Sequence, residues 1–180
     1  MQTLEIIKKQ CQLLRLGAVA DQVDELANSS ASEGISYLEF FKKALDMELS
    51  DRDRKDLARR QKLARLPLNH HLEGYDTSVE ESLPKARLEQ LKELSWLDQN
   101  YNIILMGPSG TGKTHLSAGL CAHAVKNGYR AYFRTMEQLM TVLKTKDLSV
   151  LAKADYTRLC KAQLIIIDDI MMISSSKSQS

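Results

Sequence analysis

The sequence predicts an α/β domain built on a parallel sheet, preceded by a small region that is entirely helical. Apolar residues recur at helical spacing through the first third of the chain. In the second half, three short apolar runs at residues 103–106, 131–133 and 164–167 alternate with helical patterns. These runs lack polar alternation, which is typical of strands in a parallel sheet that helices cover on both faces.

The composition is that of a globular protein. Hydrophobic residues make up 43% of the 180 residues and charged residues 27%, which is enough to build a core. No apolar run approaches the roughly 20 residues that span a bilayer, so we expect no membrane contact. The three cysteines lie far apart, which favours reduced thiols and a cytoplasmic location. With a net charge of +2, any basic surface must be local.

Residues 1–66 are predicted to form the helical N-terminal domain. The first helix carries an apolar stripe of Leu4, Ile7, Cys11 and Leu14. Gly17 is expected to interrupt it, and a second helix is expected to run to about Ala27, followed by a polar loop at residues 28–34. A third helix is predicted to begin with a capping box at Ser36 and Glu39 and to end before Pro67. Its apolar stripe consists of Leu38, Phe41, Leu45 and Leu49.

The far half of the third helix is basic. Its cations are Arg52, Arg54, Lys55, Arg59, Arg60, Lys62 and Arg65. One interpretation is a solvated face with ion pairs at i, i+3 and i, i+4 spacing. The other is a surface that follows the phosphate backbone of DNA. Charge alone does not decide between them, and no aromatic residue is interleaved to stack on single-stranded bases.

The remaining chain divides into three predicted parts. Residues 67–84 are a linker, because polar residues and glycine punctuate them. Residues 85–173 are the α/β domain. Residues 174–180 are a polar tail without periodicity, which we expect to be disordered.

The strongest functional signal is a phosphate-binding loop between the first apolar run and the following helix. The motif G-x-x-x-x-G-K-[ST] matches Gly107, Pro108, Ser109, Gly110, Thr111, Gly112, Lys113 and Thr114. The glycines let backbone N–H groups turn inward, and the helix N-terminus adds partial positive charge. Lys113 is predicted to contact the β- and γ-phosphates, and Thr114 to bind Mg²⁺. The sequence therefore predicts binding of ATP with Mg²⁺.

Two carboxylates complete the predicted site. Asp168 and Asp169 follow the apolar run at residues 164–167, which together with the loop makes a Walker B motif. Asp168 is predicted to hold Mg²⁺ directly or through water. Asp169 is the candidate general base, and the alternative for this residue is a solvated strand end.

With these residues in view, the chain resembles the IstB-like transposition helper ATPases, which are AAA+ proteins related to the helicase loader DnaC and the initiator DnaA. Both Walker motifs are shared by all P-loop ATPases. The N-terminal half points to this family, notably residues 14–21, 37–41, 62–67 and 72–76. The resemblance implies an AAA+ type P-loop NTPase fold with an N-terminal domain that binds DNA or a partner. It also implies double-stranded DNA and a transposase as partners, and homo-oligomers in full-length relatives.

The sequence departs from the family pattern after Ile173. Family members continue through two more core strands, a sensor residue, an arginine finger and a lid. In the family's sheet, the fourth strand lies between the runs at residues 103–106 and 164–167. We therefore expect a sheet that is incomplete at the C-terminus, with no ladder partner on the facing sides of these runs. This pattern is expected of a truncated or frameshifted gene product, or of a fragment.

Several functions remain open on the sequence alone. The chain could hydrolyse ATP as an assembly factor for transposition. It could instead bind ATP and DNA without turnover, which we favour for these 180 residues because the sensor and arginine finger are not among them. Helicase loading of the DnaC kind is the alternative role, and a non-functional remnant is a further one.

Overall fold

The computed structural model describes residues 2–68, 72 and 83–170. The chain divides into two compact units, Met1–Ala58 and Arg59–Ser180, and the division falls within the third helix. The domain boundaries inferred from the sequence stay predictions. Most of the predicted linker and all of the predicted tail lie outside the described residues. Within the described ranges, no helix is long and apolar enough to cross a membrane.

The first unit is helical, as predicted. It contains α1 (Gln2–Leu13), α2 (Gly17–Glu33) and the start of α3 (Tyr37–Ala64). The predicted loop at residues 28–34 is wrong, because α2 continues to Glu33 and ends at Gly34 in a left-handed conformation (φ 65°). Serine hydroxyls in this stretch bond to carbonyls one turn back, with Ser29 Oγ 3.1 Å from Leu26 O. A serine within a helix can satisfy its hydroxyl at a carbonyl one turn back, so a serine-rich stretch is compatible with a helix as well as with a loop.

Helix α3 is apolar on two opposite faces. Its inward face contributes Ala44 to a core with Val19, Val23 and Leu26 of α2. The stripe identified in the sequence points away from this core, since Leu38 is 82% exposed and Phe41 60% exposed. Leu45 and Leu49 are exposed as well. The periodicity was therefore real, but a different set of residues packs inside.

A buried carboxylate holds the start of α2. Glu48 is 5% exposed, and its Oε2 accepts a hydrogen bond from Ala18 N at 2.9 Å. Its Oε1 lies 2.9 Å from Nε of Arg52. Burial acts to raise the pKa of Glu48, but the hydrogen bonds from Arg52, Ala18 and Val19 together lower it below its ordinary value. The charged form of Glu48 is thus the one that the fold stabilises.

The second unit carries the α/β elements. These are α4 (Lys85–Lys92), α5 (Ser95–Asp98), α6 (Lys113–Lys126), β1 (Ala131–Thr135), α7 (Met136–Thr145), α8 (Val150–Cys160) and β2 (Leu164–Asp168). The two strands pair in parallel, with Ala131 opposite Leu164 and Thr135 opposite Asp168. The helical prediction for residues 85–97 is interrupted after Lys92, because Leu94 adopts a left-handed conformation (φ 59°).

The predicted strand at residues 103–106 is wrong. The described part of the chain has a two-stranded sheet, and residues 101–108 belong to no strand. A strand exists only where a neighbouring backbone offers hydrogen bonds. Among the described residues no strand lies beside this run to pair with it, so its apolar sequence alone does not make it a strand. The fold is therefore an α/β arrangement with an incomplete parallel sheet, as the sequence predicts.

Helix α6 packs closely against Leu72. A Cβ atom built on Gly119 would lie 2.6 Å from Cγ and Cδ2 of Leu72. Leu72 belongs to a buried cluster with Leu88, Leu91, Leu116 and Leu120. Because the cluster includes two residues of α6, this packing positions the helix whose first turn begins at Lys113.

A fully buried ion pair joins β1 to α8. Arg134 is 0% exposed and donates to Asp155 Oδ1 at 2.9 Å. It also donates to the carbonyls of Ala64 (3.1 Å) and Phe133 (2.7 Å). Ala64 is the last residue of α3, so the guanidinium also binds a carbonyl at the negative end of that helix.

The buried thiol of Cys121 lies on α6. Burial raises the pKa of Cys121 to about 12, against the opposing charge of Arg134.

Candidate nucleotide site

The backbone of the loop depends on glycine. Gly110 (φ 86°) and Gly112 (φ 78°) both have left-handed conformations, which a side chain would disfavour. Gly112 is also the N-cap of α6. The loop therefore delivers the chain into the first turn of a 14-residue helix, whose leading N–H groups have no partners within the helix and can bind an anion.

Lys113 is folded back over the loop. Its Nζ donates to the carbonyl of Gly107 at 2.9 Å, to the carbonyl of Pro108 and to Thr111 Oγ1 at 3.3 Å. These acceptors are all neutral. Phosphate oxygens are anionic and form stronger, charge-assisted hydrogen bonds with an ammonium group. The residue is thus held at the loop by contacts that a polyphosphate can replace.

The two halves of the predicted site meet at one hydrogen bond. Thr114 Oγ1 donates to Asp168 Oδ2 at 2.9 Å, across 54 residues of sequence. Thr114 lies in the first turn of α6, and Asp168 is the last residue of β2. A hydroxyl and a carboxylate are hard oxygen ligands of the kind that Mg²⁺ binds together with water and phosphate. The donor set therefore fits this metal.

Asp169 leaves the line of the strand. It follows β2 with a left-handed backbone (φ 55°), a conformation that aspartate tolerates better than most residues. It lines the same groove as Lys113 and Thr114. Its predicted role as general base stays a prediction.

The basic residues of α3 are largely engaged with acids. Arg54 and Lys55 both pair with Asp51, and their hydrogen bonds, Lys55 foremost, lower the pKa of Asp51. Arg52 pairs with Glu48. These pairs have the i, i+3 and i, i+4 spacings of the solvated-face interpretation.

Basic residues in the second unit also contact acids. Arg65, which follows α3, lies 3.3 Å from Asp155. Arg59 and Arg60 also have interaction partners. Among the residues that the structure describes, the Lys62 side chain has no hydrogen bond or ion pair.

Sequence reasoning did not identify the supporting residues of this unit. Arg134 and Asp155 form its buried ion pair, and Leu72 packs on Gly119. One signal was available, since a charged residue directly after the apolar run at residues 131–133 needs a buried partner. No comparable signal marked Leu72.

These features define a class of protein fold. A loop joins an apolar segment to a helix, and it lies next to a parallel strand that ends in carboxylates. The second unit is an incomplete P-loop fold of the AAA+ type, and a helical region precedes it. The family model described as IstB-like ATP binding protein matches residues 9–180. The chain belongs to this family of IstB-like ATP-binding proteins.

The descriptions of similar proteins agree with this family assignment. The chain is 40% identical over 166 residues to an insertion sequence IS21-like putative ATP-binding protein of Bacteroides fragilis, covering 92% of this chain and 63% of that protein. A protein of the same description from Bacteroides fragilis strain YCH46 is 40% identical, over 88% of this chain and 80% of its own length. The insertion sequence IS5376 putative ATP-binding protein of Geobacillus stearothermophilus is 29% identical, over 92% and 66%. The chain thus spans slightly less than two thirds of two of these relatives.

Proposed function

We propose that the chain is an ATP-binding helper protein of DNA transposition, which binds Mg-ATP at residues 107–114 and acts with DNA and a transposase. The observation that carries the proposal is the 2.9 Å hydrogen bond from Thr114 to Asp168. It joins a glycine-shaped loop to an acidic strand end, which is the arrangement that metal-bound polyphosphate requires.

The positions of the side chains support the following nucleotide-binding roles. Lys113 exchanges its loop acceptors for the β- and γ-phosphate oxygens, and the N–H groups at the start of α6 bind the remaining phosphate charge. Thr114 and Asp168 would hold Mg²⁺, which when bound neutralises phosphate charge. Asp169 would orient an attacking water in chains that hydrolyse ATP.

The transposition context is supported by the relatives. Those described above are named as ATP-binding proteins of insertion sequences, and relatives from Pseudomonas aeruginosa and Bacillus thuringiensis are named in the same way. These names favour a role in transposition over the helicase-loading alternative. Co-purification with a replicative helicase instead of a transposase would favour helicase loading.

The proposal includes a contact between α3 and duplex DNA. The ion pairs within α3 argue against a strong contact. Acids neutralise much of the charge of Arg52, Arg54 and Lys55. Binding by the remaining cations should therefore be weak and depend strongly on salt. Replacing Lys62 with glutamine should reduce the salt dependence by about one counterion. Lys42→Gln is the control, because Lys42 already pairs with Asp46 in the same helix.

Nucleotide binding is tested by titrating a fluorescent ATP analogue with and without Mg²⁺. We expect Lys113→Ala to weaken binding at least about tenfold, because a hydrogen bond to a charged group contributes about 1.5–3 kcal/mol. Thr114→Val should remove the Mg²⁺ dependence. Lys144→Ala is the matched control, since Lys144 is an exposed lysine near the end of α7. Equal affinity of the folded wild type and the folded Lys113→Ala variant for the ATP analogue would reject the proposal. Measuring phosphate release in the same samples, with ATP, distinguishes nucleotide binding from hydrolysis.

A further inference from the structure

Three arginines of the second unit share the carboxylate of Asp155. Arg134 lies 2.9 Å from it, Arg65 3.3 Å and Arg158 3.9 Å. Arg134 is fully buried and forms the closest pair, whereas the side chains of Arg65 and Arg158 are 54% and 41% exposed. One carboxylate cancels one of the three positive charges. Two positive charges therefore remain at the surface.

The positive charge continues to the end of α8. Lys161 is the C-cap of this helix, and its N–H donates to the carbonyl of Arg158 at 3.1 Å. Residues three apart lie on the same helix face, so Lys161 follows Arg158 along the face that carries Asp155. Lys161 is exposed, and in the part of the chain that the structure describes its side chain has no hydrogen bond or ion pair.

Arg130 adds a cation from the segment that precedes β1. Its carbonyl accepts from Gln163 N at 2.9 Å, and its N–H donates to Gln163 Oε1 at 3.0 Å. These bonds use the backbone of Arg130 and leave its side chain exposed, with no hydrogen bond or ion pair to any described residue. The amide NH₂ of Gln163 is a further donor at the same position. We call Arg65, Arg158, Lys161 and Arg130 the cationic row.

Acids do not neutralise this row as they neutralise the middle of α3. Neither residues 99–136 nor residues 156–167 contain an aspartate or glutamate. In α3, by contrast, Glu48 pairs with Arg52, and Asp51 pairs with Arg54 and Lys55. The C-terminus of α8 offsets about half a charge. The row of four cations therefore keeps a positive potential.

These features specify a polyanion with regularly spaced charges. Arg158 and Lys161 are separated by about 4.5 Å along the helix axis, which is comparable with the about 3.4 Å of axis per phosphate on one strand of duplex DNA. Arginine also binds phosphate through two parallel hydrogen bonds. Tyr129, next to Arg130, is partly buried, so it offers no open ring for stacking on single-stranded bases. Leu159 is buried, so it supplies no apolar side chain to a lipid surface.

We propose that the cationic row binds the phosphate backbone of duplex DNA. The inference rests on the DNA partner proposed above, and it assigns the contact to the end of α8 and the start of β1 instead of to the middle of α3. Arg130 and Gln163 precede the two strands, whereas Asp168 ends β2. Five residues of strand span about 17 Å, so DNA and nucleotide do not compete for the same groups.

The test is fluorescence anisotropy of a fluorescein-labelled DNA duplex, titrated without Mg²⁺ at several salt concentrations. Each phosphate contact contributes about 0.9 to the slope of log K against log salt, which corresponds to about eightfold in affinity at 0.1 M salt relative to 1 M. We expect Arg130→Gln and Lys161→Gln each to reduce the slope by about 0.9 and to weaken binding about eightfold at 0.1 M salt. The double variant should combine both losses.

Lys153→Gln is the matched control. Lys153 is an exposed lysine of α8, but it lies two residues before Asp155 and so projects from a different face of the helix. Its replacement removes the same charge from the chain and should change DNA affinity less than about twofold. All these variants should bind the fluorescent ATP analogue as the wild type does, which also shows that they are folded.

A second variant tests the position of the contact. Gln163→Glu keeps an oxygen that can accept from Arg130 N, but it replaces the NH₂ donor with a negative charge. We expect it to weaken duplex binding at least as much as Lys161→Gln does.

The outcomes separate this inference from the proposed function. If the wild type binds duplex DNA and the double variant binds it with the same affinity and salt slope, the row is overturned and the proposed DNA partner stands. If the wild type binds the ATP analogue but shows no affinity for the duplex at about 0.05 M salt, the row and the DNA partner both fail. Tighter binding of a single strand of the same length, or binding of phosphatidylserine vesicles in place of the duplex, would also overturn duplex DNA as the ligand.

Discussion

The buried pair of Arg134 and Asp155 allows a quantitative test of the second unit. Arg134 has no exposed surface, and the Asp155 side chain is 6% exposed. The guanidinium donates to the carboxylate and to two backbone carbonyls. Removing one partner of such a pair leaves a buried charge without its counter-ion, which costs about 3–5 kcal/mol.

The expected loss of stability depends on the other charges near Asp155. Asp155 has two further cations nearby, with Arg65 at 3.3 Å and Arg158 at 3.9 Å. Both are about half exposed, so solvent screens them. We therefore expect Arg134→Met to cost about 3 kcal/mol, the low end of the range. Asp155→Leu leaves Arg134 buried with carbonyl acceptors only, and we expect a similar or larger loss.

The double variant Arg134→Met/Asp155→Leu provides the decisive comparison. It removes both charges together, and replacing a buried ion pair with apolar residues is often neutral or stabilising. We expect the double variant to be more stable than either single variant, by at least about 1–2 kcal/mol.

The assay is urea unfolding followed by the fluorescence of Trp96, the only tryptophan in the sequence. Trp96 lies in the second unit, and its Nε1 donates to Leu91 O at 2.8 Å, so it reports that unit. The m value should stay constant across the four proteins. If the two single losses add within about 0.5 kcal/mol in the double variant, the side chains do not interact and the reasoning is refuted.

Three further predictions concern pH, thiol reactivity and packing. Because the pKa of Glu48 is lowered from 4.5, its stabilisation is present above pH 4.5 and is lost as the pH falls through the folded value. Thermal melts of Glu48→Gln should therefore show a smaller acid loss than wild type, and parallel curves would contradict this. With its pKa raised to about 12 from 9.0, Cys121 should react with Ellman's reagent at pH 8 only after unfolding, whereas exposed Cys160 reacts in the native protein. This thiol should also destabilise the fold as the pH rises from 9 to 12, because only the unfolded thiol ionises there. Gly119→Ala should destabilise the wild type by crowding Leu72. In the Leu72→Ala background the same substitution should stabilise the protein by about 1 kcal/mol, measured by urea unfolding. If the change in unfolding free energy has the same sign in both backgrounds, the contact with Leu72 is excluded.

Much of the fold was predictable because its signals are local. The helix α6 begins at Lys113, within the phosphate-binding motif, as the motif predicts. The apolar runs at residues 131–133 and 164–167 form β1 and β2. In each case, neighbouring residues supply the cap, the turn or the apolar run. The roles of the individual site residues stay predictions.

The errors share a different cause. The serine-rich stretch after Ala27 is compatible with both loop and helix, and the structure continues α2 through it. The apolar run at residues 103–106 has strand composition, but composition does not provide a ladder partner. The stripe of α3 was correctly spaced, yet α2 packs on the opposite face, where Ala44 lies.

The sequence by itself determined the glycine-lysine loop, the helix that follows it and the apolar character of the strands, because each depends on residues adjacent in the chain. Only the tertiary structure decided that Thr114 meets Asp168 and that Arg134 is buried against Asp155. Hydrogen bonds, ion pairs and strand ladders each need a second group that is distant in sequence. Their existence therefore depends on how the elements pack and cannot be inferred from either partner alone.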